Sequence, residues 1–253
     1  MKTVILAATS AFLLAAASGA HGEEAANNGT DPTKLTTQAQ VTWERLDLNG
    51  GFRSDTLKLN YTLPFGEKSD WNVRYRVPIA SVDVLGNDSY GLGDVSVQVG
   101  HVFGLSRQGG WVAQGEMILD TASRDELGTG KNVLKGTLIR AWFLENGAIF
   151  APALVHSESL WGDDDRRDVQ STTVDFYYVP KLKDSRNLIT FDPSINQDWE
   201  NDKTFLGLAV TYGRVVGPAF GGTGIVTIKP SVFAGDGRPG DWGLEVGYKV
   251  LGF

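Results

Sequence analysis

Apolar and polar residues alternate over many short stretches of this chain, with the period of two that an extended β-strand shows. In the stretch 71–79, aromatic and aliphatic residues alternate with Asn72, Arg74 and Arg76. About twelve such stretches follow one another, each with one apolar face and one polar or small face. The predicted strands cover residues 35–46, 57–65, 71–79, 95–99, 111–119, 134–144, 148–156, 172–179, 188–195, 204–215, 224–234 and 241–253.

The last stretch ends on Phe253, with no polar residue after it. A terminal strand of this kind would be an exposed edge in an open sheet, whereas a barrel pairs its last strand with its first. Gly252 puts Phe253 out of step with the apolar face of that strand. Either a bulge restores the alternation or Phe253 caps the rim. The pattern predicts an all-β fold, a single antiparallel up-and-down transmembrane β-barrel of about twelve strands.

The predicted connections alternate between short and long, as in outer-membrane barrels with short periplasmic turns and longer outer loops. The short ones are 65–69, 106–109, 145–147, 183–187 and 217–222. The long ones are 49–54, 85–91, 121–132, 159–170, 197–203 and 235–241. A soluble β-sandwich would also alternate, so the compartment has to come from elsewhere in the chain.

The N-terminal residues indicate the cellular compartment. Residues 1–20 combine a basic residue, a short apolar run and small residues before a cleavage point, which predicts a secretory signal peptide. A membrane anchor is the alternative, but the run is short for a span of about 20 residues. Residues 21–34 are polar and predict a flexible lead-in, and residues 35–253 form the barrel. We expect the protein in the outer membrane, with the lipid bilayer as its surroundings.

Composition narrows the chemistry further. The chain has 253 residues, 42% of them hydrophobic, and no cysteine, so thiolate catalysis and thiolate metal sites are excluded. The net charge of −7 and the absence of a basic patch make nucleic acid an unexpected partner. We expect no cofactor and no bound metal.

The polar face of the strands predicts which side chains line the lumen, and the aromatic residues predict a belt at the membrane interface. The lumen candidates are Lys58, Asn60, Arg74, Arg76, Asp94, Gln98, Gln114, Glu116, Asp120, Asp175 and Glu245. The interface candidates are Trp43, Tyr61, Trp71, Trp111, Trp242, Tyr248 and Phe253. Arg74 and Arg76 opposite Glu116 and Asp120 would form a charged constriction. The alternative is that the lumen charges pair and seal it.

A hydrolase is weighed against this channel because His156, Ser157 and Glu158 are adjacent. Alternation puts His156 and Glu158 on one face and Ser157 on the other. Lipid-hydrolysing barrels need the histidine and the serine together on the outward face. We therefore expect no enzymatic activity.

Several segments resemble a family of bacterial outer-membrane proteins labelled as transporters of the phenol meta-degradation pathway (the MetA-pathway of phenol degradation). The resemblance lies in Trp71-Asn72-Val73-Arg74-Tyr75-Arg76-Val77-Pro78, Gly91-Leu92-Gly93-Asp94-Val95, Leu119-Asp120-Thr121, Leu127-Gly128-Thr129-Gly130, Lys229-Pro230 and the last strand. It implies a barrel that passively admits small hydrophobic or aromatic solutes and is inserted by the outer-membrane assembly machinery through its C-terminal strand. A closed structural or adhesive barrel is the alternative.

Overall fold

A computed structural model describes residues 28–84 and 87–253, so the predicted signal peptide lies outside the described residues. It contains thirteen β-strands. They are β1 Gln38–Leu48, β2 Arg53–Phe65, β3 Trp71–Val84, β4 Asn87–Leu92, β5 Ser96–Ser106, β6 Gly109–Ile118, β7 Lys131–Phe143, β8 Ile149–Gly162, β9 Gln170–Val179, β10 Asn187–Asp198, β11 Lys203–Ala219, β12 Gly222–Ala234 and β13 Gly240–Leu251.

Two 3₁₀ turns, Asn49–Gly51 and Asp125–Leu127, complete the secondary structure of the described part. None of the helices within residues 28–84 and 87–253 is long and apolar enough to cross a bilayer.

The strands close into an antiparallel barrel. β1 pairs with β2 on one side and with β13 on the other, in a register that runs from Gln38 opposite Leu251 to Leu48 opposite Gly240. The remaining strands pair with their neighbours in sequence, except that β5 pairs with β3 and not with β4. The predicted single up-and-down barrel of about twelve strands is thereby confirmed.

The fourth of the twelve positions is shared by two strands. β3 pairs with β5 through Trp71–Arg76 and with β4 through Ile79–Val84, so β4 and β5 follow one another along one position in the wall. The prediction of a loop over 85–91 was wrong for residues 87–91, because Asn87–Leu92 continues the hairpin with β3. Polar residues and glycine in this segment hid the strand from the alternation pattern.

The connections predicted to be short all lie at one end of the barrel, which we call the turn end, and both Gln38 and Leu251 lie there too. The opposite, loop end carries the other connections, the longest described being 119–130. The alternation in length is incomplete, because 49–52 and 199–202 at the loop end are shorter than 180–186 at the turn end. Register assigns the two faces of the wall. The outward face is apolar and exposed, with Leu57, Leu59 and Val246 as examples. The inward face is polar through the middle of the barrel, as a membrane barrel requires.

The chain end resolves the question that Gly252 raised. β13 pairs with β1 in unbroken register from Trp242 to Leu251, and the Gly252 amide then donates to the Thr37 carbonyl at 2.9 Å. Gly252 has φ +70°, a conformation that glycine adopts at little cost. This turn brings the Phe253 ring to 6.3 Å from Tyr61 on the outer surface of the rim.

Candidate functional site: the lumen and its turn end

Most of the predicted lumen residues belong to strands that present them on the inward face. Register with the apolar outward residues fixes this orientation, since directly paired residues share a face. The inward set is Lys58, Asn60, Arg74, Arg76, Gln98, Gln114, Glu116, Asp175 and Glu245. Their role in lining a conducting pathway stays a prediction.

Asp94 and Asp120 do not belong to this set. β5 begins at Ser96 and β6 ends at Ile118, so both aspartates lie outside the strands. Asp94 accepts hydrogen bonds from the backbone N–H groups of Thr121, Ala122 and Thr129, at 3.2, 3.2 and 2.8 Å. It fastens the loop 119–130 to the wall. Asp120 is exposed in that loop, and a strand extrapolated too far along the alternation produced both errors.

Glu116 is the centre of the charged middle layer. Its carboxylate accepts from Arg76 Nη1 at 2.7 Å and pairs with Lys135 Nζ at 2.6 Å. The Ser96 hydroxyl donates to it at 2.6 Å. Its side chain is 3% exposed, so these three partners replace water around the charge. The predicted pairing of Arg76 with Glu116 is present, whereas Asp120 takes no part in it.

At the turn end, the lumen is lined by buried apolar side chains of β5 to β10, β12 and β13, which we call the apolar collar. It consists of Val102, Val112, Ala141, Ala151, Val179, Leu188, Ile225 and Leu251. Within it, Leu188, Ile225 and Leu251 pack together, with Val215 against them. The collar was not predicted from the sequence. Its residues are apolar although they face inward, and the lumen was predicted from polar residues alone.

Residues 28–34, which we call the N-terminal segment, lie folded across the collar. The Thr30 carbonyl accepts from the Tyr177 hydroxyl of β9 at 3.2 Å. Thr33 approaches β6, where its Cγ2 lies 3.5 Å from the position a β-carbon would take at Gly110. The corresponding position at Gly29 lies 3.0 Å from Leu251 Cδ1 of β13. The segment therefore touches three well-separated strands around the mouth.

The hydrogen bonds of the N-terminal segment are largely internal. Asn28 Oδ1 accepts from the backbone N–H and the hydroxyl of Thr30 at 3.2 and 2.7 Å. Asp31 Oδ1 accepts from the same two groups of Thr33 at 2.9 and 2.7 Å. Such Asx turns satisfy the backbone locally. The segment can consequently move without leaving many of its polar groups unpaired.

Aromatic side chains line the outward face at the turn end from β3 to β7. Trp71 stacks on His101 with centroids 4.1 Å apart, and His101 continues to Phe103 at 5.7 Å. The Arg140 guanidinium lies 5.2 Å from the Trp111 ring and 5.6 Å from the Trp142 ring. This arrangement suits a membrane interface, where rings and cations meet lipid headgroups.

Of the predicted interface residues, Tyr61, Trp71, Trp111 and Phe253 face outward in the part of the barrel nearer the turn end, and Tyr248 also faces outward. Trp242 faces outward near the loop end. Trp43 lies in the middle of β1, with Arg45 over its ring at 5.1 Å. Trp142 and Phe103, absent from the predicted set, are recognisable in the sequence only by their distance from the turns. The interfacial role of the predicted residues stays a prediction.

The hydrolase alternative depends on side chains that the wall separates. His156 is paired with Gly136 and Thr172 on the outward face, and its Nδ1 lies 3.0 Å from the Thr172 hydroxyl. Ser157 is paired with Lys135 on the inward face. The histidine and the serine are therefore on opposite surfaces of the barrel, and they form no catalytic pair.

A charge pair between the first residue of β7 and Asp168 fixes the loop 163–169 to the wall. Lys131 Nζ lies 2.9 Å from Asp168, and the Ser159 hydroxyl donates to the same carboxylate at 3.1 Å. These contacts, Lys131 first, lower the pKa of Asp168 below its ordinary value. Because the folded-state pKa is lowered, the stabilisation is present above the ordinary pKa of aspartate and is lost as the pH falls through the lowered value.

Comparisons with known proteins place the fold. No protein-family model matches the chain, and no curated protein sequence matches it. The COG4313 outer membrane channel from Pseudomonas putida F1 is similar with a TM-score of 0.68 at 10% identity, over 88% of this chain and 98% of that one. The KdgM porin gives 0.55 at 10%, over 84% and 98%. The NanC porin gives 0.51 at 12%, over 86% and 99%. At these identities the similarity establishes the fold alone.

Proposed function

We propose that this protein is an outer-membrane channel through which small solutes pass passively, with its turn end in the periplasm. The fold-level similarity to channel barrels supports this proposal. The observation that carries it is the N-terminal segment, which crosses the turn end between β6, β9 and β13 and forms most of its described hydrogen bonds within itself. A folded segment held mainly by packing over a polar lumen is suited to opening and closing.

The solutes of the proposed channel are small and hydrophobic or aromatic, as the resemblance to the phenol-pathway transporters implies. The apolar collar supports this choice, because a solute entering or leaving the periplasmic mouth would contact it. Export through residues 1–20 and insertion through the C-terminal strand belong to the same proposal. The outward aromatic pair of Tyr61 and Phe253 is the surface that the assembly machinery would meet.

A closed structural barrel is the second candidate. One observation favours it, namely the packing of the charged middle layer, where Gln98, Ser96 and Glu116 are only 4%, 2% and 2% exposed. A lumen sealed at this level would leave the outer loops as the working surface.

A disulfide across the mouth distinguishes the two candidates. The chain has no cysteine, so Thr33→Cys with Gly110→Cys introduces one pair and no competing thiol. Thr33 Cγ2, whose place a cysteine sulfur can take, lies 3.5 Å from the position of a β-carbon at Gly110, which is close enough for a disulfide to be formed with a small adjustment. In planar bilayers we expect the oxidised double variant to give no conductance steps and the reduced one to recover them, because the bond holds the N-terminal segment in place.

The two single variants serve as controls and should be insensitive to oxidation. A variant lacking residues 28–34 should conduct more than the complete chain. If oxidised and reduced double variants conduct equally, the segment is not the gate. If even the variant without the segment gives no steps, the closed barrel is the correct description.

A further inference from the structure

Arg74 and Lys249, two cations on the inward face, have no acidic residue opposite them in the strand register. Lys229 also forms no ion pair among the described residues, but it lies opposite Glu245. Lys58, Arg76 and Lys135 each form an ion pair, at 2.6, 2.7 and 2.6 Å. Arg74 instead donates Nε to the Thr62 hydroxyl at 3.1 Å, and within residues 28–84 and 87–253 it forms no ion pair. Lys249 likewise forms none in the described part of the chain. The register places both on the same part of the inward face: Arg74 is opposite Thr62 of β2, Thr62 is opposite Gln38 of β1, and Gln40 of β1 is opposite Lys249.

An amide donor lies beside this pair. Gln98 is directly opposite Arg74 in the register of β3 and β5. It is 4% exposed, and its Nε2 has no acceptor among the described residues. A buried N–H donor without an acceptor is costly, and cations that form no ion pair in a narrow lumen are costly as well. An anion with oxygen acceptors would relieve both.

The cations also border the apolar collar. The position that a β-carbon would take at Gly29 lies 2.9 Å from Lys249 Nζ and 3.0 Å from Leu251 Cδ1. Positive charge and apolar surface therefore meet at the same point on the N-terminal segment. This juxtaposition fits a solute with a charged head and an apolar body.

We propose that Arg74, Gln98 and Lys249 form a carboxylate-binding site in the lumen, and that its ligand is a small carboxylic acid with an aromatic or aliphatic body. Arg74 and Lys249 supply charge-assisted hydrogen bonds to the carboxylate oxygens, and Gln98 supplies a neutral one. The body of the solute lies toward the apolar collar. The site rests on the proposed channel function and restricts its solutes to anions.

Fluorine NMR of the purified, detergent-solubilised full barrel tests the site directly. The probes are 4-fluorobenzoate and its uncharged counterpart 4-fluorobenzyl alcohol. We expect the benzoate to bind about tenfold more tightly than the alcohol, and Arg74→Gln with Lys249→Gln to abolish that preference. Lys58→Gln is the matched control, because it removes one inward positive charge from an existing pair with Glu44.

Equal binding of the two probes would overturn the site, and so would a loss in Lys58→Gln as large as in the Arg74 and Lys249 variants. The binding measurement does not depend on conductance. A barrel that binds benzoate through Arg74 and never conducts would refute the channel and leave the site standing. A barrel that conducts without preferring benzoate would do the reverse.

Discussion

At the scale of single residues, Glu116 has the strongest effect on how the lumen is organised. Its nearly inaccessible carboxylate joins Arg76 of β3 and Lys135 of β7, while Ser96 of β5 completes its hydrogen bonds. One side chain of β6 therefore links three other strands, β3, β5 and β7. The Glu44–Lys58 pair has similar geometry, with Nζ 2.6 Å from the carboxylate, but its side chains are 24% and 27% exposed. Water can replace that pair and cannot readily replace the Glu116 cluster.

Glu116→Gln should therefore destabilise the barrel by about 3 kcal/mol, since it leaves two cations in the narrow lumen without a counter-charge. Unfolding in urea, followed by tryptophan fluorescence and by heat-modifiable migration on gels, measures the change. Glu44→Gln is the control and should cost about 1 kcal/mol or less, because its pair is more exposed. Equal effects of the two variants would mean that burial does not govern these pairs.

At the scale of elements, the break between β4 and β5 is the irregular part of the wall. β6 ends at Ile118, so within the described chain the outer edge of β4 has no strand beside it. The loop 119–130 covers this edge, with the Ser123 amide donating to the Leu92 carbonyl at 2.8 Å. An uncovered edge would be open to pairing with another chain. The Asp94 carboxylate holds the covering loop in place.

Asp94→Ala should release this loop while leaving the barrel folded. Asp94 accepts three backbone hydrogen bonds from the loop, each worth about 1 kcal/mol. Limited trypsin digestion at the exposed Arg124 should become faster, which mass spectrometry of the fragments detects. Asp120→Ala removes an exposed carboxylate from the same loop and should digest at the original rate. Unchanged cleavage in Asp94→Ala would show that the loop is fixed by other contacts.

At the scale of the whole molecule, the barrel is closed by the seam between β1 and β13. The pairing of the two strands ends with Gln38 opposite Leu251, two residues before Phe253. Gly252 and Phe253 therefore lie outside the ladder, and the Phe253 ring contacts the outer surface beside Tyr61. Closure and the chain end are physically separate features, which gives them separable consequences.

Deletion of Phe253 should leave the folded barrel nearly as stable as before, because only an aromatic contact worth about 1 kcal/mol is lost. In cells, the amount of barrel in the membrane should fall if the terminal aromatic residue is what the assembly machinery recognises. Heat-modifiable migration measures the first quantity and quantitative blotting of membrane fractions the second. Tyr61→Leu is the control, since it removes the same contact and keeps the terminal residue. Equal loss in both variants would assign the effect to the contact.

The sequence by itself determined the fold class, the number of barrel positions and the face of most strand residues. Each of these follows from local geometry, since alternation assigns Arg76 and Glu116 to one surface whatever the rest of the chain does. The same alternation predicted that His156 and Ser157 lie on opposite faces of the wall, as the structure shows. The same local rule failed at Asp94 and Asp120, where the strands had already ended.

Only the tertiary structure decided which inward residues meet. Glu116 contacts Lys135 because the register of β6 and β7 places the two residues opposite each other. That register depends on the stagger of strands around the closed barrel, which no single strand encodes. The segment Asn87–Leu92 forms the strand β4 because its backbone pairs with the Ile79–Val84 part of β3. The N-terminal segment lies in the mouth because β6, β9 and β13, distant in sequence, converge there. Alternation is a property of neighbouring residues, whereas these contacts are properties of the closed ring.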